Sequence, residues 1–102
     1  AEIIPVTFYD ECSDEDVANA MARLVPQATN PIMSTVTTTP EKFGSVKRAY
    51  IECLRDNAIP IAMQRAMIEA QPCDKVFTID TDHSPFYSAP EDLAAHLLAL
   101  AD

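Results

Sequence analysis

The sequence is almost free of glycine, with Gly44 the single example in 102 residues. A phosphate-binding P-loop, a glycine-rich dinucleotide-binding turn and the G-x-S-x-G turn that exposes a nucleophilic serine each need more than one glycine. The chain therefore contains none of these motifs. Any catalysis must use its other residues, or a group supplied by another chain.

Basic residues are also scarce, since 7 Lys and Arg stand against 16 Asp and Glu and give a formal charge of −9. Such a surface repels the phosphates of nucleic acids and of anionic lipids, so neither is an expected partner. The apolar stretches are far shorter than the roughly 20 residues that span a bilayer. The composition is otherwise that of one globular domain, with 48% hydrophobic residues.

The three cysteines Cys12, Cys53 and Cys73 are odd in number and widely spaced. This spacing argues against a disulfide framework and a zinc knuckle, and favours free thiols in a reducing compartment, which predicts a cytoplasmic location. The first five residues, AEIIP, lack both a methionine and the basic region of a signal peptide. We expect a piece of a longer protein.

The first half of the chain predicts one helix and a long connection. Ser13 is a suitable N-cap with Asp16 three residues later, and an apolar stripe follows until Pro26. These features predict an amphipathic helix over residues 14–25. Residues 26–45 contain three prolines and a Ser/Thr/Val stretch, which predicts a loop or an edge strand.

The second half predicts alternating strands and helices. Apolar runs indicate strands at residues 46–53 and 75–79, separated by a helix that begins near Pro60 and ends before Pro72. A capping box at Ser88 to Glu91 predicts a last helix, with His96 on its solvent side or edge. The resulting order is β-α-β-α, in which two parallel strands share a right-handed crossover.

Two parallel strands are too few for a covered sheet, because parallel sheets are normally buried on both faces. We therefore expect the chain to be the C-terminal part of a larger α/β domain whose other strands lie elsewhere. The alternative is a small independent α+β domain in which residues 32–38 form a third strand.

Asp56 and His83 each follow one of the predicted strands, 27 positions apart. Sites in open α/β sheets form beyond the carboxyl ends of the strands, and an acid that orients a histidine is the usual pair in nucleophilic hydrolysis. From spacing alone, a loop acid and a structural histidine explain the two residues better than a catalytic pair does. Asp80, Asp82 and His83 could imitate a metal site, but no fourth ligand is apparent, and Cys53 or Cys73 with His83 could imitate a cysteine nucleophile.

Several short motifs, in order and with consistent spacing, resemble the C-terminal third of α/β-hydrolases of the hydroxynitrile lyase and plant methylesterase branch. The chain looks most like bacterial ester hydrolases of that branch. The motifs span nearly the whole chain: FYDxC at 8–12, RLxPQ at 23–27, YIECLRDNAIP at 50–60, Gln64, Met67-Ile68, Asp82-His83 and SxPxxL at 88–93.

The resemblance implies a division of the chain and a role for two residues. Residues 1–45 would be the end of the cap region and a linker, and residues 46–102 the C-terminal β-α-β-α of the hydrolase core. Asp56 matches the acid of the catalytic triad and His83 matches its base. The nucleophilic serine would lie in the N-terminal part of the protein, because neither Ser84 nor Ser88 has the neighbouring glycine that a nucleophile turn needs.

The resemblance also implies a reaction type without a cofactor or metal. Lyases of this branch carry a lysine after the triad histidine, and Ser84 stands at that position here, which favours ester hydrolysis over cyanohydrin cleavage. Ala58, Ile59 and Phe86 would contribute to an apolar wall for a hydrophobic ester, with plain core packing as their alternative role. The remaining alternatives are a non-catalytic small-molecule-binding protein on the same fold, and the independent small domain.

Overall fold

The structure, a computed structural model, describes residues 2–101. It contains two β-strands, six α-helices and one short 3₁₀ helix in the described part. In chain order these are α1 Ile3–Phe8, α2 Asp14–Arg23, α3 Asn30–Met33, the 3₁₀ helix Phe43–Ser45, β1 Ala49–Cys53, α4 Ile61–Ala70, β2 Lys75–Ile79, α5 Pro85–Ser88 and α6 Pro90–Ala101.

The two strands form a parallel pair, with Ala49 opposite Lys75 and Cys53 opposite Ile79. Their carboxyl ends therefore coincide, and α4 is the crossover between them. The ladder continues past the strands, since Leu54 N donates to Ile79 O at 3.0 Å and Arg55 N donates to Thr81 O at 3.0 Å. The predicted β-α-β-α order is confirmed, and so is the shared edge at which the loops after both strands lie.

Strand β1 begins at Ala49 rather than at residue 46. Val46 N closes the 3₁₀ helix on Phe43 O, and Arg48 N donates to the Asp74 carboxylate rather than to a strand. Val46 N is thus used in a local turn, and Arg48 N bonds to a side chain of the segment before β2 instead of a strand carbonyl, so the strand pairing begins at Ala49.

Helix α2 ends at Arg23 rather than at residue 25. Leu24 is already extended, with ψ 135°, and Val25 precedes Pro26, whose ring disfavours a helical residue before it. Leu24 and Val25 are both exposed, so burial does not oppose the proline. The start of the helix is as predicted, because the Ser13 hydroxyl accepts a hydrogen bond from Asp16 N.

The connection between α2 and β1 is irregular and exposed. Its regular structure is limited to the single turn of α3 and the 3₁₀ helix. Residues 32–38 do not pair with the sheet, which has two strands within residues 2–101. The alternative with a third strand is therefore wrong, and Pro31 and Pro40 bracket a segment in which extended backbone has no partner.

One further expectation for the last helix is wrong. Ser88 is the final residue of α5, and its hydroxyl donates to Asp82 instead of capping α6. His96 is half-buried at the edge of the helix, and its ring stacks on Phe77 of β2 with the centroids 4.7 Å apart. Aromatic stacking of this kind supplies apolar contact that the helix would otherwise lack against the sheet.

Polar side chains attach α4 to β1. The Gln64 amide is 2% exposed, accepts a hydrogen bond from Cys53 N, and donates to Cys53 O and Ile59 O. Glu52 of β1 binds Arg65 of α4 through two hydrogen bonds of 3.1 Å. These hydrogen bonds lower the pKa of Glu52 below its ordinary value, against the opposing effect of burial.

The apolar core is small. The fully buried hydrophobic residues among those described are Ala20, Cys53 and Ile79, whereas Ile3, Val25, Met33 and Leu98 are each more than two-thirds exposed. An independent domain rarely leaves this much apolar surface in water. The pattern agrees with a chain that forms the C-terminal portion of a larger α/β structure.

We expect Gln64→Leu to destabilise the protein. Leucine fits the helix but leaves Cys53 N–H and Ile59 O without their partner, and leaves Cys53 O with only the 3.4 Å contact to Asp56 N, at a cost of about 2–4 kcal/mol in the free energy of unfolding. Urea unfolding of the complete protein that contains this chain measures the change. Gln71→Leu, at the exposed end of α4, is the matched control and should shift the free energy of unfolding by less than about 0.5 kcal/mol. Equal effects of the two substitutions would contradict the bracing role of Gln64.

Candidate active site

Asp56 and His83 lie together at the carboxyl edge of the strands. The Asp56 Oδ2 to His83 Nδ1 distance is 2.8 Å. The Asp56 side chain is 7% exposed and that of His83 is 32% exposed, so the acid is enclosed while the imidazole reaches the surface. The sequence separation of 27 residues is closed by the parallel register of β1 and β2, which ends both strands at the same level.

The loop after β1 fixes the Asp56 carboxylate. Ala58 N and Ile59 N both donate to Oδ1 at 2.8 Å, which is the turn that an aspartate forms with the backbone following it. Oδ2 is left to bind His83, so Nδ1 carries a proton and Nε2 keeps its lone pair. No residue of the described chain hydrogen-bonds Nε2, which is therefore in the tautomer and position of a general base.

Phe8 contacts the His83 ring from the other side of the site. The two rings meet edge to face, with centroids 5.2 Å apart and planes at 74°. Phe8 is the last residue of α1, a helix for which no sequence pattern predicts a contact with the β-α-β unit. This contact is one that sequence reasoning missed.

A second carboxylate, Asp82, is buried beside the histidine and is 1% exposed. Oδ2 accepts hydrogen bonds from Glu11 N at 2.9 Å and from the Cys12 thiol at 3.4 Å. Oδ1 accepts from Ser84 N at 2.9 Å and from the Ser88 hydroxyl at 2.8 Å. Burial alone would raise the pKa of Asp82, but these hydrogen bonds outweigh it and lower the pKa below its ordinary value. The side chain is a carboxylate at neutral pH.

Cys12 and Cys53 are not activated as nucleophiles. Burial and the hydrogen bond to Asp82 raise the pKa of Cys12 to about 12, and burial also raises the pKa of Cys53. Both remain thiols at neutral pH, and the thiol is a poor nucleophile. All three cysteines are free.

Ser84 and Ser88 are committed to other contacts. The Ser84 hydroxyl is buried and donates to Phe8 O at 2.6 Å. The Ser88 hydroxyl donates to Asp82. Neither hydroxyl hydrogen-bonds His83.

Comparison with known proteins finds no family model that matches the chain. Methylesterase 7 of Arabidopsis thaliana is 40% identical over 90 residues, which cover 87% of this chain and 35% of that protein. Methyl jasmonate esterase 1 of Vitis vinifera is 40% identical over 105 residues, which cover 99% of this chain and 40% of that protein. The crystal structure of polyneuridine aldehyde esterase superposes with a TM-score of 0.89 at 30% identity, over 97% of this chain and 40% of that one.

The chain is homologous to the C-terminal portion of α/β-hydrolases of the plant methylesterase branch. It spans between about a quarter and two-fifths of the length of these curated relatives. The resemblance inferred from the motifs and the expected fold class are confirmed.

Of the three residues expected at a substrate wall, Ala58 and Ile59 follow Asp56 closely in the chain and Phe86 follows His83 by three positions. Ala58 and Ile59 are half-buried and hold Asp56 through their backbone. Phe86 is 58% exposed and packs against Tyr87, with centroids 4.9 Å apart. All three side chains are partly exposed, and their contact with a substrate stays a prediction.

The acidic residues of the loop after β2 bind separate partners. Asp80 binds Arg55, Asp82 binds the donors described above, and His83 binds Asp56. Within residues 2–101 no group of three or more His, Cys, Asp and Glu side chains is arranged to hold a metal ion. In the same part of the chain no helix has the length and hydropathy to cross a membrane.

The lowered pKa of Asp82 makes part of the stability pH-dependent. Its folded-state pKa is below the unfolded value, so the carboxylate stabilises the fold fully at neutral pH, and this contribution is lost as the pH falls below about 4. Asp82→Asn should therefore flatten the fall in the free energy of unfolding between about pH 6 and pH 3.

Urea unfolding across that pH range measures the effect. Asp80→Asn removes the same charge from an exposed position two residues away and is the matched control. An unaltered acid dependence in Asp82→Asn would show that the network does not hold the charged form.

Proposed function

We propose that the complete protein is a serine ester hydrolase of the carboxylesterase type, in which this chain supplies the acid Asp56 and the base His83. The nucleophilic serine comes from residues outside the chain. The observation that carries the proposal is the Asp56 to His83 hydrogen bond of 2.8 Å, made by a carboxylate whose other oxygen is fixed by backbone N–H groups and by an imidazole whose Nε2 is open.

The arrangement suits acyl transfer. Nε2 of His83 takes the proton of the serine hydroxyl as the oxygen attacks the ester carbonyl, and it then returns the proton to the leaving alcohol. Asp56 keeps the tautomer and stabilises the imidazolium that forms. Alone, the chain has neither the nucleophile nor an oxyanion hole, and it is inert.

Ester cleavage has support from two directions. The relatives bear the names methylesterase and methyl jasmonate esterase. Ser84 follows the histidine and is uncharged and buried against Phe8 O, so that position provides no cation for a cyanide leaving group. Hydrolysis is therefore preferred to cyanohydrin cleavage.

The proposed organisation assigns residues 1–45 to the end of a cap and a linker, and residues 46–102 to the hydrolase core; Ala1 and Asp102 lie outside the described residues. Both strands are in the second part. The proposed partner is the N-terminal part of the same hydrolase, and its docking would cover the exposed apolar residues. No nucleic acid or membrane partner is proposed. The cytoplasm remains the proposed compartment, although some relatives are named as chloroplastic.

The proposed substrate is an ester with a hydrophobic acyl or alcohol part. Ile59, whose backbone N–H binds Asp56, and the exposed Phe86, three residues after His83, offer apolar surface, and apolar walls with few polar groups are usual in small-molecule sites. The names of the relatives make methyl esters of hydrophobic acids the first class to assay.

In the complete protein, His83→Ala should lower kcat by several orders of magnitude, and Asp56→Asn by about 10⁴-fold, because the base is lost in one and held in the wrong tautomer in the other. Release of alcohol from a chromogenic aryl ester and from methyl esters measures turnover. His96→Gln changes the other histidine, which stacks on Phe77 away from the site, and should leave kcat unchanged. Wild-type turnover that survives His83→Ala would remove His83 from the mechanism, and a complete protein that binds esters without cleaving them would favour a binding protein.

A further inference from the structure

The proposed reaction uses Asp56 and His83 and gives no task to Asp82, the most deeply buried carboxylate of the described chain. We propose that Asp82 is a positioning residue for His83. It fixes residues 80–84, which we call the histidine loop, and binds this loop to the segment Val6–Cys12. This inference rests on the proposed function, because it concerns the same base.

The hydrogen atoms around Asp82 specify a carboxylate. Its four partners, Glu11 N, Cys12 Sγ, Ser84 N and Ser88 Oγ, all donate to it. The Ser88 hydroxyl has two acceptors, Asp82 Oδ1 at 2.8 Å and Ser84 O at 3.1 Å, of which the carboxylate is the closer; with the single Ser88 proton used there, Thr81 donates in the short contact between Thr81 and Ser88. An asparagine at position 82 would turn two N–H donors towards two of these donors. Asparagine has nearly the same shape as aspartate, but it cannot accept all four of these hydrogen bonds.

The network joins the histidine loop to the segment Val6–Cys12, which we call the bridging segment. Two of the four donors, Glu11 N and the Cys12 thiol, belong to the bridging segment, and Phe8 O accepts the Ser84 hydroxyl. The bridging segment also reaches the loop after β1, because Val6 O accepts from Asn57 and Glu11 pairs with Arg55. It thus connects the loop of the acid to the loop of the base.

The bridging segment carries Phe8, whose ring meets the His83 imidazole. His83 is accordingly held by three contacts: Asp56 at Nδ1, Phe8 at the ring, and the Asp82 to Ser84 turn at the backbone on either side of it. Asp82 forms the third contact directly and anchors the segment that makes the second. Loss of Asp82 frees the imidazole to tilt while Asp56 and the neighbouring Ala58 and Ile59 stay in place.

The test is Asp82→Asn in the complete protein, with turnover measured per folded molecule. We expect kcat to fall by up to about 100-fold, since displacement of a reacting group by about 1 Å has that effect, while KM changes by less than about twofold. The NMR resonance of the Nδ1 proton shared by His83 and Asp56 should broaden or shift. Asp92→Asn, which removes the same charge from an exposed position in the first turn of α6, should leave kcat and the resonance unchanged.

A merely structural role for Asp82 would lower stability but leave kcat and the proton resonance of the folded fraction at wild-type values, and that result would overturn the proposal. If Asp82→Asn does not fold, Ser88→Ala and Cys12→Ala each remove one donor from the network and should each lower kcat less than Asp82→Asn is expected to. Unchanged kcat in both would also overturn it. His83→Ala in the same assay separates the two proposals, because full activity in that variant contradicts the esterase mechanism itself, whatever Asp82 does.

Discussion

The structure depends on the register of one parallel strand pair. Cys53 stands opposite Ile79, so the chain leaves β1 and β2 at the same level and the next few residues of each strand face one another. Arg55 N still pairs with Thr81 O beyond the strands, which extends this alignment to within one residue of Asp56. A slip of one residue in a strand would turn its side chains to the other face of the sheet, and the acid and the base would no longer meet.

Backbone N–H donors, more than apolar contacts, hold the side chains of the site in place. Asp56 is fixed by two N–H groups, Asp82 by two more, and β1 is joined to α4 through the Gln64 amide. A hydrogen bond to a buried carboxylate is worth more than one at the surface because leaving it unmade strands a charge. The geometry of the site can therefore be specified within this chain even though its apolar core is incomplete. Under the proposed function, residues outside the chain supply cover for its hydrophobic surface and the hydroxyl on which His83 acts.

Much of this arrangement could be predicted from the sequence, and the limits have physical causes. The strand at 75–79, the crossover helix and the meeting of Asp56 with His83 follow from apolar periodicity and from the topology of parallel strands. The end of α2 and the start of β1 differ from the expected positions. Pro26 disfavours a helical residue before it, and the Asp74 carboxylate accepts a hydrogen bond from Arg48 N, which no periodicity reveals. Ser88 has the sequence of a cap but binds a buried acid instead. The contacts of Asp82 and Phe8 join residues about 70 positions apart, and only tertiary structure brings them together.

The central claim is that this chain contributes a proton shuttle to a serine located elsewhere. The most direct measurement is mass-spectrometric mapping of a serine-directed fluorophosphonate on the complete protein. The account predicts a single labelled serine outside the 102 residues of this chain, with labelling abolished by His83→Ala. A label on Ser84 or Ser88, or labelling that is indifferent to His83, would contradict it.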